Sequence, residues 1–343
     1  MKRPIVLLSL LAVLALGAVA TAGADALGPI TFEPTAYAVG NINGQNGWVK
    51  TGAYDAAVVA DASFPTAAGY GFGTQSLRIS SSVTSGSFGD QTFAPPLASA
   101  AGESTSNNHF EASFSIGTAL ATQQPGLALS VSPDNGAGGR MSYLRFEDQA
   151  DGVHVLFDDV ADNGPVGTTA TFNEHDIATL SRTQAHTVRF AIDFKPGAGN
   201  DVVKVWIDSV LKATGTSWEN YYRFDPEQTA TGNVVPQTRT VLFREGPWAA
   251  APTTAGNGFL IDNVSMASSQ VNQQTGGKDS CKRSGWKTFP GPSFRNQGQC
   301  IKAMINHGHH HGHFAAPKAP KNHAGDFGQG HDHGHHGNNG NDR

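Results

Sequence analysis

The sequence has little with which to do intracellular or nucleic-acid chemistry. It holds 2 cysteines and 4 methionines in 343 residues, and only 15% of its residues are charged. A formal net charge of -5 gives no basic surface for nucleic acid and no cationic face for an anionic bilayer. Motifs that carry a nucleophile, a zinc pair or a phosphate cradle (GxSxG, HExxH, GxxxxGK[ST]) are absent. The only long apolar run is Ile5 to Val19, which is short for a membrane span. It follows Lys2 and Arg3 and precedes Ala20-Thr21-Ala22-Gly23-Ala24, the layout of a secretory signal cut after Ala22 or Ala24. Residues 1–24 are therefore expected to be a signal peptide, with the remainder exported from a bacterial cell and free of any membrane span.

In an oxidising compartment the two cysteines, Cys281 and Cys300, are expected to form a disulfide. Such a bridge closes a loop of about twenty residues and adds on the order of 3 kcal/mol in the chain-entropy view. Their spacing has no CxxC element and does not suit zinc.

What is present is glycine (41 residues) and phenylalanine (19) in a pattern of period two. Phe110, Ala112, Phe114 and Ile116 fall on one face of an extended segment. So do Val188, Phe190, Ile192 and Phe194, and Val153, Val155 and Phe157, and Val203, Val205 and Ile207. Asp134-Asn135-Gly136, Asp151-Gly152, Pro196-Gly197 and Asn257-Gly258 punctuate these runs as turns. About thirteen such strands at regular spacing suit two packed antiparallel sheets. Helix signals are few: Asn173 to Leu180 reads as one short helix, and Trp218 to Arg223 as a single turn.

The expected organisation is a β-sandwich over 25–268, a polar linker over 269–278, a small Cys-bounded module over 279–306 and a His/Gly-rich tail over 307–343. The tail's composition cannot bury enough apolar surface to offset its ordering entropy, so it is expected to be disordered.

Three stretches resemble secreted bacterial domains of the concanavalin A-like lectin/glucanase superfamily, the laminin-G-like jelly rolls. They are Phe32-Glu33-Pro34 with Asn43-Gly44-Gln45-Asn46-Gly47-Trp48, the pair His186 to Phe194 and Asn200 to Asp208, and Gly258 to Val264. The resemblance implies an all-β, two-sheet antiparallel jelly-roll sandwich. It leaves function open between lectins, glycosidases, lyases and adhesion modules. The Cys281 to Cys300 segment is similar to short modules at the ends of other secreted bacterial proteins.

Catalytic members of the superfamily carry a strand motif of alternating acids. The nearest string here, Glu174-His175-Asp176-Ile177-Ala178-Thr179, lacks the closing glutamate, so the chain is expected not to be an enzyme. The expected function is binding of extracellular polysaccharide or cell-surface glycan through stacked aromatic rings. Two clusters suit it: Trp218, Glu219, Tyr221 and Tyr222, and Trp48 with Asn46. Trp206, within a strand pattern, is assigned to the core.

No cofactor is required by this reading. Glu33 on the first strand and Asp262 on the last are candidates for a structural calcium site. His307, His309, His310, His311, His313, His331, His333, His335 and His336 are candidate ligands for zinc, nickel or copper. An extracellular metal-binding protein with the sandwich as scaffold is the alternative function, and a polysaccharide-cleaving enzyme without the usual glutamate motif is a third.

Overall fold

The computed structural model describes residues 24–80, 90–161, 164–230, 236–245, 256–271, 296–299 and 301–302. Residues 1–23, which hold nearly all of the expected signal peptide, Cys281, Cys300 and the tail histidines His307 to His336 lie outside the described residues. The chain divides into two units, Met1–Gln273 and Gln274–Arg343. In the second, residues 297–299 and 301–302 are helical, and the Gln299 N–H donates to Asn296 Oδ1 at 2.9 Å.

The first unit is an antiparallel jelly-roll sandwich. One sheet runs in the order Val210–Gly215, Val202–Ile207, His186–Asp193, His109–Thr118, Phe259–Ser269, Gln75–Ser80, Asp55–Ala60, Gly40–Asn41. The other runs Thr171–Leu180, Gly152–Ala161, Leu144–Gln149, Ala128–Asp134, Thr240–Glu245, Gln91–Phe93, Val49–Thr51. A two-stranded ribbon of Ala101–Gly102 and Gln237–Thr238 stands apart from both.

The period-two pattern is what makes this a sandwich. Inward residues of the first sheet (Phe110, Phe114, Phe190, Val205, Phe259) meet those of the second (Val131, Phe146, Val155, Phe243) in one core cluster. Phe114 spans the layers, with its ring 6.2 Å from Phe146 and 5.7 Å from Phe243, both edge-on. Trp206 alternates out of phase with Val203, Val205 and Ile207, and so faces outward rather than into the core. The Arg189 guanidinium lies 3.7 Å from its ring centroid.

The Phe259–Ser269 strand is central. One edge pairs with His109–Thr118 along its length; the other is shared, Phe259 to Ile261 pairing with Gln75–Ser80 and Val264 to Ser268 with Asp25–Ile30. The register shifts between Asp262 and Ser265, where Asn263 has a φ of 55°. Gly28 crosses this place with a φ of 103°, and a Cβ there would stand 2.4 Å from the Val264 carbonyl oxygen, so only glycine fits.

One element departs from expectation. Asn173 to Leu180 is no helix; Thr171–Leu180 is a strand, paired along Gly152–Ala161. It is the edge of its sheet and is exposed on both faces for most of its length, so it never shows the alternation of a half-buried strand. The helical turn near Trp218 is present as Glu219–Phe224, followed by Pro226–Thr229.

Candidate functional site

The outer face of the second sheet carries a cavity of about 520 Å³. Asp158 and Arg244 reach it from two strands of the sheet and Tyr143 from just before a third, because Leu144, Phe157 and Phe243 beside them point into the core. The two short helices supply Trp218, Tyr221, Tyr222, Glu227 and Gln228, the edge strand supplies Phe172, and the loop after Asp134 supplies residues 137–140.

Each part is held by bonds that follow from its sequence. Asp134, at the end of its strand, accepts the N–H groups of Gly136 at 2.6 Å and Gly138 at 3.1 Å, while Asn135 Oδ1 accepts those of Ala137 and Gly139. This tight turn brings Arg140 back to bridge with Asp134. The Trp218 N–H donates to the Met141 carbonyl at 3.0 Å, and its indole Nε1 to the Asp158 carbonyl at 3.2 Å. Asp225 caps the second helix by accepting the Glu227 N–H at 2.8 Å and ties down the Ala170 N–H at 2.8 Å. Tyr221 Oη donates to Glu227 Oε2 at 2.9 Å and accepts from Gln228 Nε2 at 2.8 Å.

The rings form a continuous wall. Trp218 stacks on Tyr143 at 5.8 Å and meets Phe172 edge-on at 4.9 Å and Tyr221 at 6.0 Å. Trp218 is 7% exposed and Phe172 is 43% exposed, so Trp218 backs the wall and Phe172, with half-buried Tyr221, presents it to solvent.

The titrating groups are displaced from their ordinary values. Burial, with Glu174 next in effect, lifts the Asp158 carboxyl to about 6. Burial and the neighbouring Arg140 bring the Arg244 guanidinium down to about 10. Burial and the bond to Glu227 raise the Tyr221 phenol to about 12. On the same sheet face, Asp158 of the cavity pairs across strands with Glu174, and Arg145 bridges Glu174 at 2.6 Å and Glu147 at 2.7 Å.

Of the residues expected to bind, the structure brings Trp218, Tyr221 and Tyr222 together at the cavity. It turns Glu219 away. That carboxylate is 1% exposed and accepts the Asn200 and Asp201 N–H groups and Arg223 Nε, bracing the loop before the Val202–Ile207 strand. Trp48 is corrected to a core residue: it is fully buried, 5.4 Å from Phe32, and donates to Tyr37 Oη at 3.2 Å. Asn46, at a φ of 44°, donates to the Ala36 carbonyl at 2.5 Å and serves the turn. Phe172, Tyr143, Asp158, Arg140 and Arg244 escaped the sequence reading. Period two could have flagged Tyr143, Asp158 and Arg244 as outward neighbours of core residues.

Glu33 lies after the first strand rather than on it, and with Asp262 and a third acid, Asp61, it occupies the gap where the last strand changes partners. The Glu33 carboxylate accepts from the Thr74 N–H at 2.8 Å, the Thr74 hydroxyl and the Gln75 N–H. Asp262 is 1% exposed, and burial, then the charges of Asp61 and Glu33, push it up to about 8 against the Asn263 N–H. Among the described residues no three His, Cys, Asp or Glu side chains converge in a geometry that holds a metal. Glu33 is committed to Thr74 and Gln75, and the Asp262 and Asp61 carboxyl groups lie buried beside it.

No protein-family description matches the sequence, and no curated protein does. Solved structures are similar at a coarse level. An endo-β-1,4-glucuronan lyase from the fungus Trichoderma reesei aligns over 68% of this chain and 94% of its own, with 15% identity and a TM-score of 0.38. β-Agarase A from Zobellia galactanivorans aligns over 57% and 72%, with 11% identity and a TM-score of 0.33. The CBM2 module of the evolved Dit of Lactobacillus casei BL23 phage J-1 aligns over 73% and 98%, with 13% identity and a TM-score of 0.38. The fold assignment itself rests on the strand pairing described above. The expectation that the chain is not an enzyme is corrected, since a lyase and an agarase stand beside a binding module among these structures. That expectation rested on the absent nucleophile motifs and the missing closing glutamate; Asp158 and Glu174 stand opposite one another on neighbouring strands.

Proposed function

We propose that this is a secreted protein that takes a segment of extracellular polysaccharide into the cavity on the outer face of its second sheet. The observation that carries the reading is the cavity's make-up: an aromatic wall with Phe172 and Tyr221 facing solvent, edged by carboxylate, amide and guanidinium groups. Pyranose rings present an apolar C–H face that rests on such a wall, and their hydroxyls need a few fixed donors and acceptors. Asp158, Glu227 and Gln228 supply these. The volume falls within the roughly 300–1,000 Å³ of small-ligand sites.

The test is a glycan array and polysaccharide pull-down with the mature protein, followed by calorimetry on the best ligand. Phe172→Ala and Tyr221→Ala are each expected to weaken binding about tenfold, or ~1.4 kcal/mol. Unchanged affinity in both variants would move the site elsewhere on the sandwich. The same preparations, incubated with the bound polysaccharide and assayed for new chain ends, tell recognition from cleavage.

A further inference from the structure

We infer that the polysaccharide accepted by this cavity is acidic, and that Arg140 and Arg244 together hold its carboxylate or sulfate groups. This rests on the saccharide reading above and adds the ligand's charge to it.

The two arginines come from separate parts of the chain. Arg140 arrives on the turn fixed by Asp134 and Asn135, and Arg244 projects from the Thr240–Glu245 strand opposite Ser130. Both line the same cavity. Arg244 is 2% exposed, so its charge is largely removed from water, yet it stands near a second guanidinium. Repulsion between like charges grows as water is excluded, and burial with Arg140 brings Arg244 down to about 10, with Tyr143 and Asp90 opposing the shift.

At neutral pH both arginines stay charged. An anion between the two is attracted by both. The planar guanidinium fork also matches a carboxylate or sulfate ester with two parallel bonds, which a hydroxyl cannot reproduce. Of the cavity's own acids, Glu227 accepts the Tyr221 hydroxyl, and Asp158, raised to about 6, lies across from Glu174 on the next strand. The aromatic wall then takes the sugar ring while the arginines read its charge.

Three sets of oligosaccharides of matched length separate the outcomes: oligogalacturonate for carboxylate, a sulfated galactan oligomer for sulfate ester, and a neutral galactan oligomer. Affinity is measured by calorimetry on the mature protein at physiological salt. At least one acidic oligomer is expected to bind about thirtyfold or more tighter than the neutral one. Arg140→Gln, at a half-buried loop position, is expected to cut acidic binding about tenfold with an unchanged melting temperature. Arg244→Lys keeps the charge but loses the fork, and is expected to weaken acidic binding severalfold. Neutral galactan bound as tightly as both acidic oligomers, or acidic binding unaltered in both variants, overturns the acidic assignment and leaves the saccharide site standing. No binding of any oligomer, with none on the glycan array, overturns both.

Discussion

Trp48 and Trp218 have look-alike surroundings in the sequence, each beside amides and close to other rings, and they end in opposite settings. Around Trp48 the polar side chains turn on their own backbone: Gln45 Nε2 donates to the Ala38 and Asn41 carbonyls, Asn43 Oδ1 accepts the Lys50 N–H, and Asn46 donates to Ala36. The amides are spent on building the turn, and the indole is left to fill the core against Phe32 and Phe243. Around Trp218 the polar groups divide. Glu219 is spent on structure, while Glu227 and Gln228 engage Tyr221 and still line a cavity. An aromatic cluster becomes a candidate site when its polar neighbours are not all consumed by the local backbone.

Substitutions sharpen this contrast. The largest effect is expected at Trp48→Ala, which empties a fully buried site and should cost about 3–5 kcal/mol, or roughly 10 °C in melting temperature. Glycan affinity of the protein that remains folded should not change; a loss of affinity would put Trp48 in the site after all. Trp218→Ala should show both effects at once, about 2–3 kcal/mol of stability from the lost packing and about tenfold in affinity. Phe172→Ala should leave stability within about 1 kcal/mol, because the ring is already substantially exposed, and still weaken binding. A melting temperature lowered as far as in Trp48→Ala would erase the distinction between the two regions.

The two regions also titrate differently. Asp262 and Asp61 lie in the gap beside Glu33, which follows Phe32, whereas Asp158 sits in the cavity. A carboxyl whose value is raised by folding holds its proton more firmly in the native state. Its contribution is therefore fully favourable below its unfolded value and is given up as pH rises through the folded one. Asp158, Asp201 and Asp262, at about 6, 7 and 8, all act in this sense. So does His109, raised to about 9 by its bonds to Asp193 and Glu111. The melting temperature should fall steadily from pH 5 to pH 9. Asp262→Asn should flatten that slope up to about pH 8, and Asp158→Asn only up to about pH 6. A melting temperature that rises over this range would contradict the buried-acid picture at both places.

The sandwich was legible because its strands are buried on one face, and burial on one face writes a period of two. The same signal, read strictly, overturns the assignment of Trp206 to the core, since Val203, Val205 and Ile207 take the inward positions. Thr171–Leu180 was illegible for the complementary reason. An edge strand exposed on both faces carries no alternation, and its charged, weakly apolar residues suit a helix equally well. The cavity was half legible. The rings of Trp218, Tyr221 and Tyr222 are neighbours in the chain. Arg140, Phe172 and Arg244 meet only through strand register, and nothing local marks them as partners.

The pairing of Asp25–Ile30 with the far half of the Phe259–Ser269 strand has a consequence for how this chain is made. Asp25 lies opposite Ser268, so the contact closes almost the whole length of the sandwich in one ladder. Such a ladder has the longest loop entropy to overcome, and it cannot begin until the last strand has been synthesised. Until the Phe259–Ser269 strand has been synthesised, the N-terminal strand has no partner. The central strand, moreover, lacks both of its neighbours' full complement until it arrives. Folding by vectorial addition from the N-terminus is therefore blocked at its final step. Linking Ser269 directly to Asp25 and opening the sandwich at a surface turn such as Pro196-Gly197 should speed refolding while leaving the native pairing intact.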